Sequence, residues 1–314
     1  MSLRRLTLVA LASLCAIGLV VDAAAACERV DVTGTSRQLL GAYVNPDETW
    51  NGLADDERKV STFESEIGRA LDIDMHYYRW DDAFPTALEE WDAAGCRVPM
   101  ISWAGTDLDS ILSGRYDSLI RARARAVQRF NHKIFLRWGY EMNGDWWDWT
   151  ATRSPDAATK FVSAWRRINR IFRSARASNT IWVWAPNETG GDPLKDPRPY
   201  YPGDDVVDWI GIDGYNWGSS MSASSWRSFG TIFGPLYGVF AGRKPLMISE
   251  TASSEHGGDK AAWIDDLAQA LPHQFPAVRA VVWFHANKET DWRVNSTPAA
   301  LAAFRRFAST TKQP

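Results

Sequence analysis

Apolar residues along this chain fall into two rhythms. Short apolar, β-branched runs predict strands at 38–44, 71–78, 97–103, 133–138, 180–185, 207–212, 245–249 and 279–284. Between them, apolar positions recur every three or four residues, which predicts helices at 56–68, 84–94, 116–130, 156–177, 224–240 and 259–271, and a last one after Thr297. Only the interval between the fifth and sixth strands lacks a long helical pattern; it holds Pro193, Pro197, Pro199 and Pro202. Eight strands alternating with helices predict an α/β fold, a (β/α)8 barrel forming one domain over residues 27–314. The competing architecture is an open doubly wound sheet. That fold usually shows a Gly-rich turn after its first strand, and Gly41 to Asn45 offers none.

The first residues follow a different pattern. Arg4 and Arg5 precede an apolar run from Leu6 to Val21, and the small residues Ala23 to Ala26 close it. A charged start, an apolar middle and an Ala-x-Ala end predict a secretory signal peptide over 1–26, and so an extracellular or periplasmic protein. As a membrane anchor the run is short, and no second apolar stretch follows. Cleavage beside Cys27 also admits a lipoprotein reading, but a small alanine stands where a larger aliphatic residue usually precedes such a site. Cys15 leaves with the leader. Cys27 and Cys96 are then expected to pair in an oxidising compartment, with two buried free thiols as the alternative.

Composition narrows the function. Hydrophobic residues make up 45%, charged residues 23%, and the formal net charge is −3. A nucleic-acid binder would be basic, and a disordered chain would be less apolar. The unusual number is 17 tryptophans. An indole must place its N–H as well as its rings, so the excess points to surface use. Trp80, Trp103, Trp138, Trp146, Trp147, Trp149, Trp184, Trp217, Trp283 and Trp292 all fall at strand ends or in the following loops, as does Trp50. Indoles cover the flat C–H faces of sugar rings, so these positions are expected to line a saccharide cleft.

In a (β/α)8 barrel, chemistry collects at the C-terminal ends of the strands. Two carboxylates pass that filter. Glu141 follows the fourth strand among aromatic residues, beside Asn143; such surroundings raise a carboxyl pKa and suit a proton donor. Glu250 ends the apolar run of the seventh strand, where a carboxylate is costly unless partnered or used. Glutamates on strands four and seven face each other across the mouth, as double displacement at a sugar carbon requires. Asp213, after the sixth strand, reads as structural, a partner for backbone donors or a nearby arginine. Tyr215 is placed either to hydrogen-bond a neighbouring nucleophile or simply to lie half-buried.

Five stretches, LRWGYEMNGDWWDW, IWVWAPN, YYPGDDVVDWIGIDGYNW, KPLMISETASSE and VVWFHANKETDWRV, occur in order between Leu136 and Val294. They resemble glycoside hydrolase family 26, whose members include β-mannanases, mixed-linkage β-glucanases and β-1,3-xylanases. The resemblance implies that Glu141 is the acid/base, Glu250 the nucleophile and Tyr215 its hydrogen-bond partner. It also implies that Trp146 and Trp283 wall the cleaved sugar. Tyr140, Arg137, Asn143, Trp80, Trp103 and Trp217 are expected to complete the substrate groove. Mannanases of the family commonly carry His immediately before the acid/base, where this chain has Tyr140. The expectation is a retaining endo-β-glycanase, acting as a monomer on a β-linked polysaccharide, β-1,4-mannan first and mixed-linkage glucan second. No metal, other cofactor, nucleic acid or, once the leader is removed, membrane is expected to take part. A non-catalytic carbohydrate-binding barrel is the reading from another class; it would keep the aromatic cleft but need not keep both acids.

Other signals carry less. His76, His132, His256, His273 and His285 lack the close pairing of zinc enzymes, and only His256 and His285 follow strands, where they could line the cleft. Arg121, Arg123, Arg125 and Arg129 are expected to spread around their helix as a solvated face. Asn187 and Asn295 begin glycosylation sequons, read as chance. Glu255 and Asp259 read as loop or N-cap residues, and Asp81 and Asp82 as groove or cap residues.

Overall fold

Eight strands, nearly every residue of them buried, form the inner layer of the molecule in a computed structural model that describes residues 30–34, 37–150, 155–188 and 192–311. In chain order the elements are β1 (Leu39–Asn45), α1 (Leu53–Ile67), β2 (Ile73–Tyr78), α2 (Ala87–Ala94), β3 (Val98–Trp103), α3 (Leu108–Leu112), α4 (Asp117–Phe130) and β4 (Ile134–Trp138). They continue with α5 (Ala157–Ser174), β5 (Thr180–Trp184), β6 (Trp209–Asn216), α6 (Phe229–Phe240), β7 (Leu246–Ser253), α7 (Lys260–His273), β8 (Val278–Ala286) and α8 (Pro298–Thr310). Each strand pairs in parallel with the next, and β1 pairs with β8, so the sheet closes. This is the expected (β/α)8 barrel.

The helices bury one stripe each. On α4 that stripe is Ile120, Ala124 and Val127, the spacing that one helical face demands. Side chains start several helices where the sequence changes rhythm. Thr86 and Glu89 make a reciprocal capping box on α2, and Asp259 and Thr297 cap α7 and α8. Between β5 and β6 the proline-rich segment forms only short 3-10 turns, Pro193–Lys195 and Arg198–Tyr200.

Three differences from the expected elements have physical causes. Strands β6, β7 and β8 run on to Asn216, Ser253 and Ala286, beyond the apolar runs that predicted them. Their extensions carry Asp213, Asn216, Glu250 and Ser253, which are polar but buried and hydrogen-bonded. Helix α6 begins only at Phe229, where the Ser228 side chain accepts from Thr231 N. The one-turn helix α3, capped by Asp107, was not foreseen.

The arginine run does not spread evenly. Arg121, Arg125 and Arg129 stand four residues apart on α4 and, with Arg167, Arg170 and Arg176, line a surface cavity of about 640 Å3. Arg123 turns away to donate to the Asp81 carbonyl at 2.6 Å. Cys96 is disulfide-bonded. Its expected partner Cys27, and residues 1–26, where a leader is expected, lie outside the described residues. Among the described residues no helix is long and apolar enough to cross a membrane.

Candidate active site

Strand β4 ends in a turn that fixes Glu141. Gly139 and Glu141 both have positive φ, 56° and 52°. For a glutamate that conformation is strained, and it persists because the neighbours hold it. Gly139 N donates to the Trp103 carbonyl at 3.0 Å and Glu141 N to the Ala185 carbonyl at 2.8 Å, tying the turn to β3 and to the end of β5. The Glu141 carboxylate is buried and receives three donors. Trp146 and Trp147 give their indole N–H groups to Oε2 at 2.8 and 2.9 Å, and Asn187 gives Nδ2 to Oε1 at 2.6 Å. Gly144 lets the Trp146 indole fold back; a Cβ there would stand 2.5 Å from the ring. Burial, and then the charge of Glu250, raise the Glu141 pKa, more than offsetting Arg137 and the two indoles, which lower it.

Glu250 comes from β7, where the register against β8 shifts between Ile248 and Thr251. Such an irregularity re-aims side chains, so that the consecutive Ser249 and Glu250 both reach charged groups of the barrel interior. Tyr215 donates to Glu250 Oε1, and Tyr77 donates to Oε2 at 2.5 Å. Arg137 Nη2 lies 2.9 Å from the same Oε2. Three donors therefore stabilise negative charge on this carboxylate.

Arg137 is fully buried and holds the two acids of neighbouring strands in place. It pairs with Asp213 on β6 as well as with Glu250, and donates to Ser102 Oγ at 3.0 Å. Asp213 also accepts from Ser249 Oγ at 2.5 Å. Burial works against the guanidinium charge, but Asp213 and then Glu250 outweigh it and hold its pKa above the ordinary value. The Tyr140 ring lies 4.4 Å from the guanidinium carbon.

Both glutamates line one open cleft of about 770 Å3 at the barrel mouth. Tyr43, Tyr77, Tyr140, Tyr215 and Phe284 contribute to its floor, and Trp50, Trp146, Trp147, Trp217 and Trp292 to its walls. Trp50 and Trp146 are 61% and 45% exposed, the accessibility that a sugar-stacking surface needs. Trp147 is backed by Trp149, stacked 4.8 Å behind it.

The structure thus brings Glu141, Glu250, Tyr215, Tyr140, Trp146 and Trp217 together at the cleft. It does not bring Trp80, Trp103 or Trp283 there. Trp103 and Trp283 are fully buried, and Trp80 nearly so. Trp80 and Trp103 stack on each other at 4.6 Å, with Trp103 also beside Phe172 of α5. Trp283 packs against Trp263 of α7 and Phe304 of α8 and donates to the Trp292 carbonyl at 2.9 Å. Successive strand residues point to opposite faces, and these indoles took the face toward the helices. Trp138 and Trp184 did the same, their N–H groups buried with no hydrogen-bond partner among the described residues. Much of the tryptophan excess is therefore packing between barrel and helices.

Arg137 and Asn143 are likewise sealed beneath the cleft. Asn143 accepts from Asn187 N at 3.0 Å and donates to the carbonyls of Asn187 and Lys195, so it acts by holding Asn187. His285 is buried in β8 rather than lining the cleft; its Nδ1 accepts from Val294 N at 3.1 Å. Sequence reasoning missed Tyr77, Tyr43 and Phe284, and saw Asn187 only as a sequon. Strand alternation was the available signal: Tyr77 lies in register with Ser102, and Ser102 with Arg137, so all three share the inward face.

The sequence model of glycosyl hydrolase family 26 matches residues 101–266. Endoglucanase H of Acetivibrio thermocellus is 37% identical over 264 residues, which cover 82% of this chain and 29% of that protein. The β-1,3-xylanase TXYA of Vibrio sp is 25% identical over 163 residues, 48% of this chain and 30% of that one. The chain spans about a third or less of the length of the curated relatives it matches. Among solved structures, a GH26 β-mannanase from Bacteroides ovatus superposes with a TM-score of 0.63 at 17% identity, covering 92% of this chain and 93% of that one. The catalytic domain of a GH26 endo-β-1,4-mannanase from Bacillus sp. JAMB-750 gives a TM-score of 0.65 at 15% identity, covering 91% and 89%. At such identities the superpositions speak for the fold alone.

Proposed function

Since the chain belongs to glycosyl hydrolase family 26, we propose that it is a retaining endo-β-glycanase in which Glu250 is the nucleophile and Glu141 the acid/base. The observation that carries this reading is the contrast between the two carboxyl groups in one cleft. Glu250 receives Tyr215, Tyr77 and the guanidinium of Arg137, which fix the orientation of its carboxylate for attack. Glu141 is buried, and the charge of Glu250 helps to raise its pKa, which suits a group that begins protonated. In the first step Glu250 attacks the anomeric carbon as Glu141 gives its proton to the departing glycosidic oxygen. In the second, Glu141 takes a proton from water, whose oxygen displaces Glu250 and restores the starting configuration.

For the substrate, we place a β-glucan ahead of mannan, reversing the order expected from sequence. The relative at 37% identity is named an endoglucanase, whereas the mannanases match at identities that support the fold alone. Tyr140, where family mannanases commonly carry histidine, agrees with that order. A reducing-sugar assay on barley glucan, lichenan, mannan, xylan and laminarin tests it. The fastest release is expected from the two mixed-linkage glucans, and faster release from mannan overturns the order. Binding to these polymers without cleavage would point instead to a carbohydrate-binding barrel. Export belongs to the same reading: protein recovered from the medium or the periplasm should begin just after Ala25 or Ala26.

A further inference from the structure

Asp74, His76 and Asp92 take no part in that chemistry, yet they are concentrated in one place. Asp74 and His76 lie on the face of β2 opposite Tyr77, toward the helices, and Asp92 of α2 meets them there. Asp74 is 1% exposed and Asp92 fully buried. His76 Nε2 stands 2.8 Å from Asp92 Oδ2 and 3.7 Å from Asp74 Oδ2. Among the described residues, neither carboxylate oxygen of Asp74 finds a hydrogen-bond donor, nor does Asp92 Oδ1. Carboxylate oxygens buried this deeply are ordinarily satisfied. The imidazole of His76, turned to Asp92, sets one positive charge against two acids, and the three orphaned oxygens leave a place for a cation that displaces its proton. The neighbouring charges are already engaged: Arg97 is bound by both oxygens of Glu64, and Glu89 is held by Tyr78 and Thr86.

We infer that Asp74, His76 and Asp92 form a binding site for a divalent transition cation of the zinc type, outside the barrel and separate from the cleft glutamates. One ligand atom from each residue lies within 4.8 Å of the others. Ligands about 2.0 Å from a tetrahedral ion stand roughly 3.3 Å apart, and the two His76 distances straddle that value. One imidazole and two carboxylates suit zinc, whereas calcium asks for six to eight oxygens. A cavity of about 470 Å3, lined in part by His76, Tyr78 and Asp56 but by neither Asp74 nor Asp92, reaches the histidine from outside. The ion would clamp α2 to β2 beside Tyr77.

Zinc binding to the chelator-treated full chain tests the site without reference to hydrolysis. Calorimetry should find one zinc per chain, and the unfolding temperature should rise with free zinc. Asp74→Asn, which keeps the shape of the side chain, should weaken binding by about 100-fold or more. Absence of zinc uptake by the wild-type chain, or equal affinity in Asp74→Asn, overturns the site. Should the variant not fold, nitrogen NMR of the wild-type histidine rings decides. Zinc must move the His76 resonances, and a response confined to His132, His256, His273 or His285 overturns the assignment.

Discussion

Tyr77, at the end of β2, donates its hydroxyl to Glu250 Oε2 at 2.5 Å, so the second strand of the barrel holds a carboxylate of the seventh. Tyr215 holds the other oxygen, and the two tyrosines fix the plane of the carboxylate. Tyr77→Phe keeps the ring that packs on Tyr43 and Tyr140 and removes only the donor. Loss of one preorganised donor should lower kcat on the order of 100-fold with KM little changed. Initial-rate kinetics read that split. An unchanged kcat would mean that the bond does not persist in the reacting complex.

Glu141 should govern the alkaline limb of the pH–rate profile, because it must start protonated and its pKa is raised by burial and by Glu250. Activity should therefore hold above the ordinary carboxylate range and fall as Glu141 loses its proton. Glu141→Gln should lose about 1,000-fold on polysaccharide. A dinitrophenyl glycoside, whose leaving group needs no proton, should suffer much less in the bond-breaking step and show no alkaline limb there. An equal loss on both substrates would remove the acid role.

Arg137→Met would leave Asp213 and Glu250 buried without their shared cation. Breaking a buried pair on one side costs about 3–5 kcal/mol, so urea unfolding should show an unfolding free energy lowered by that amount and a correspondingly lower midpoint. Adding Asp213→Asn should recover part of the loss. A midpoint that stays at the wild-type value would show that the acids are paired some other way.

His285 should make the fold sensitive to acid. Burial, then Lys260 and Arg293, lower its pKa from 6.5 to about 3, and its Nδ1 must stay unprotonated to accept from Val294 N. The unfolded chain therefore binds a proton between pH 6.5 and 3 that the folded chain refuses. The stabilisation is fully present above pH 6.5 and shrinks as pH falls toward 3, by about 5 kcal/mol at the limit. Denaturant titrations across that range should show the decline, and His285→Gln should flatten it.

Much of the fold was legible because each barrel strand is an apolar run and each helix an apolar stripe. The polar ends of β6 and β7 were not, since Asp213 and Glu250 interrupt the runs while remaining buried through their pairing with Arg137. At the site, Glu141 and Glu250 stood out as carboxylates at strand ends. The tryptophans misled because a strand end has two faces. Arg137 points inward, so Trp138 must point outward, and Trp103, its register partner, goes with it. The same alternation puts Phe284 in the cleft and Trp283 beneath the helices. Tyr77 needed that register and also the closure of the barrel, which no local pattern contains.

The two-glutamate account stands or falls on the stereochemistry of the first product. Proton NMR of the fresh hydrolysate of a β-linked substrate should show the new reducing end appearing as the β-anomer, with α-anomer growing in only by slow mutarotation. Initial release of the α-anomer would mean a single displacement, and would contradict a covalent role for Glu250.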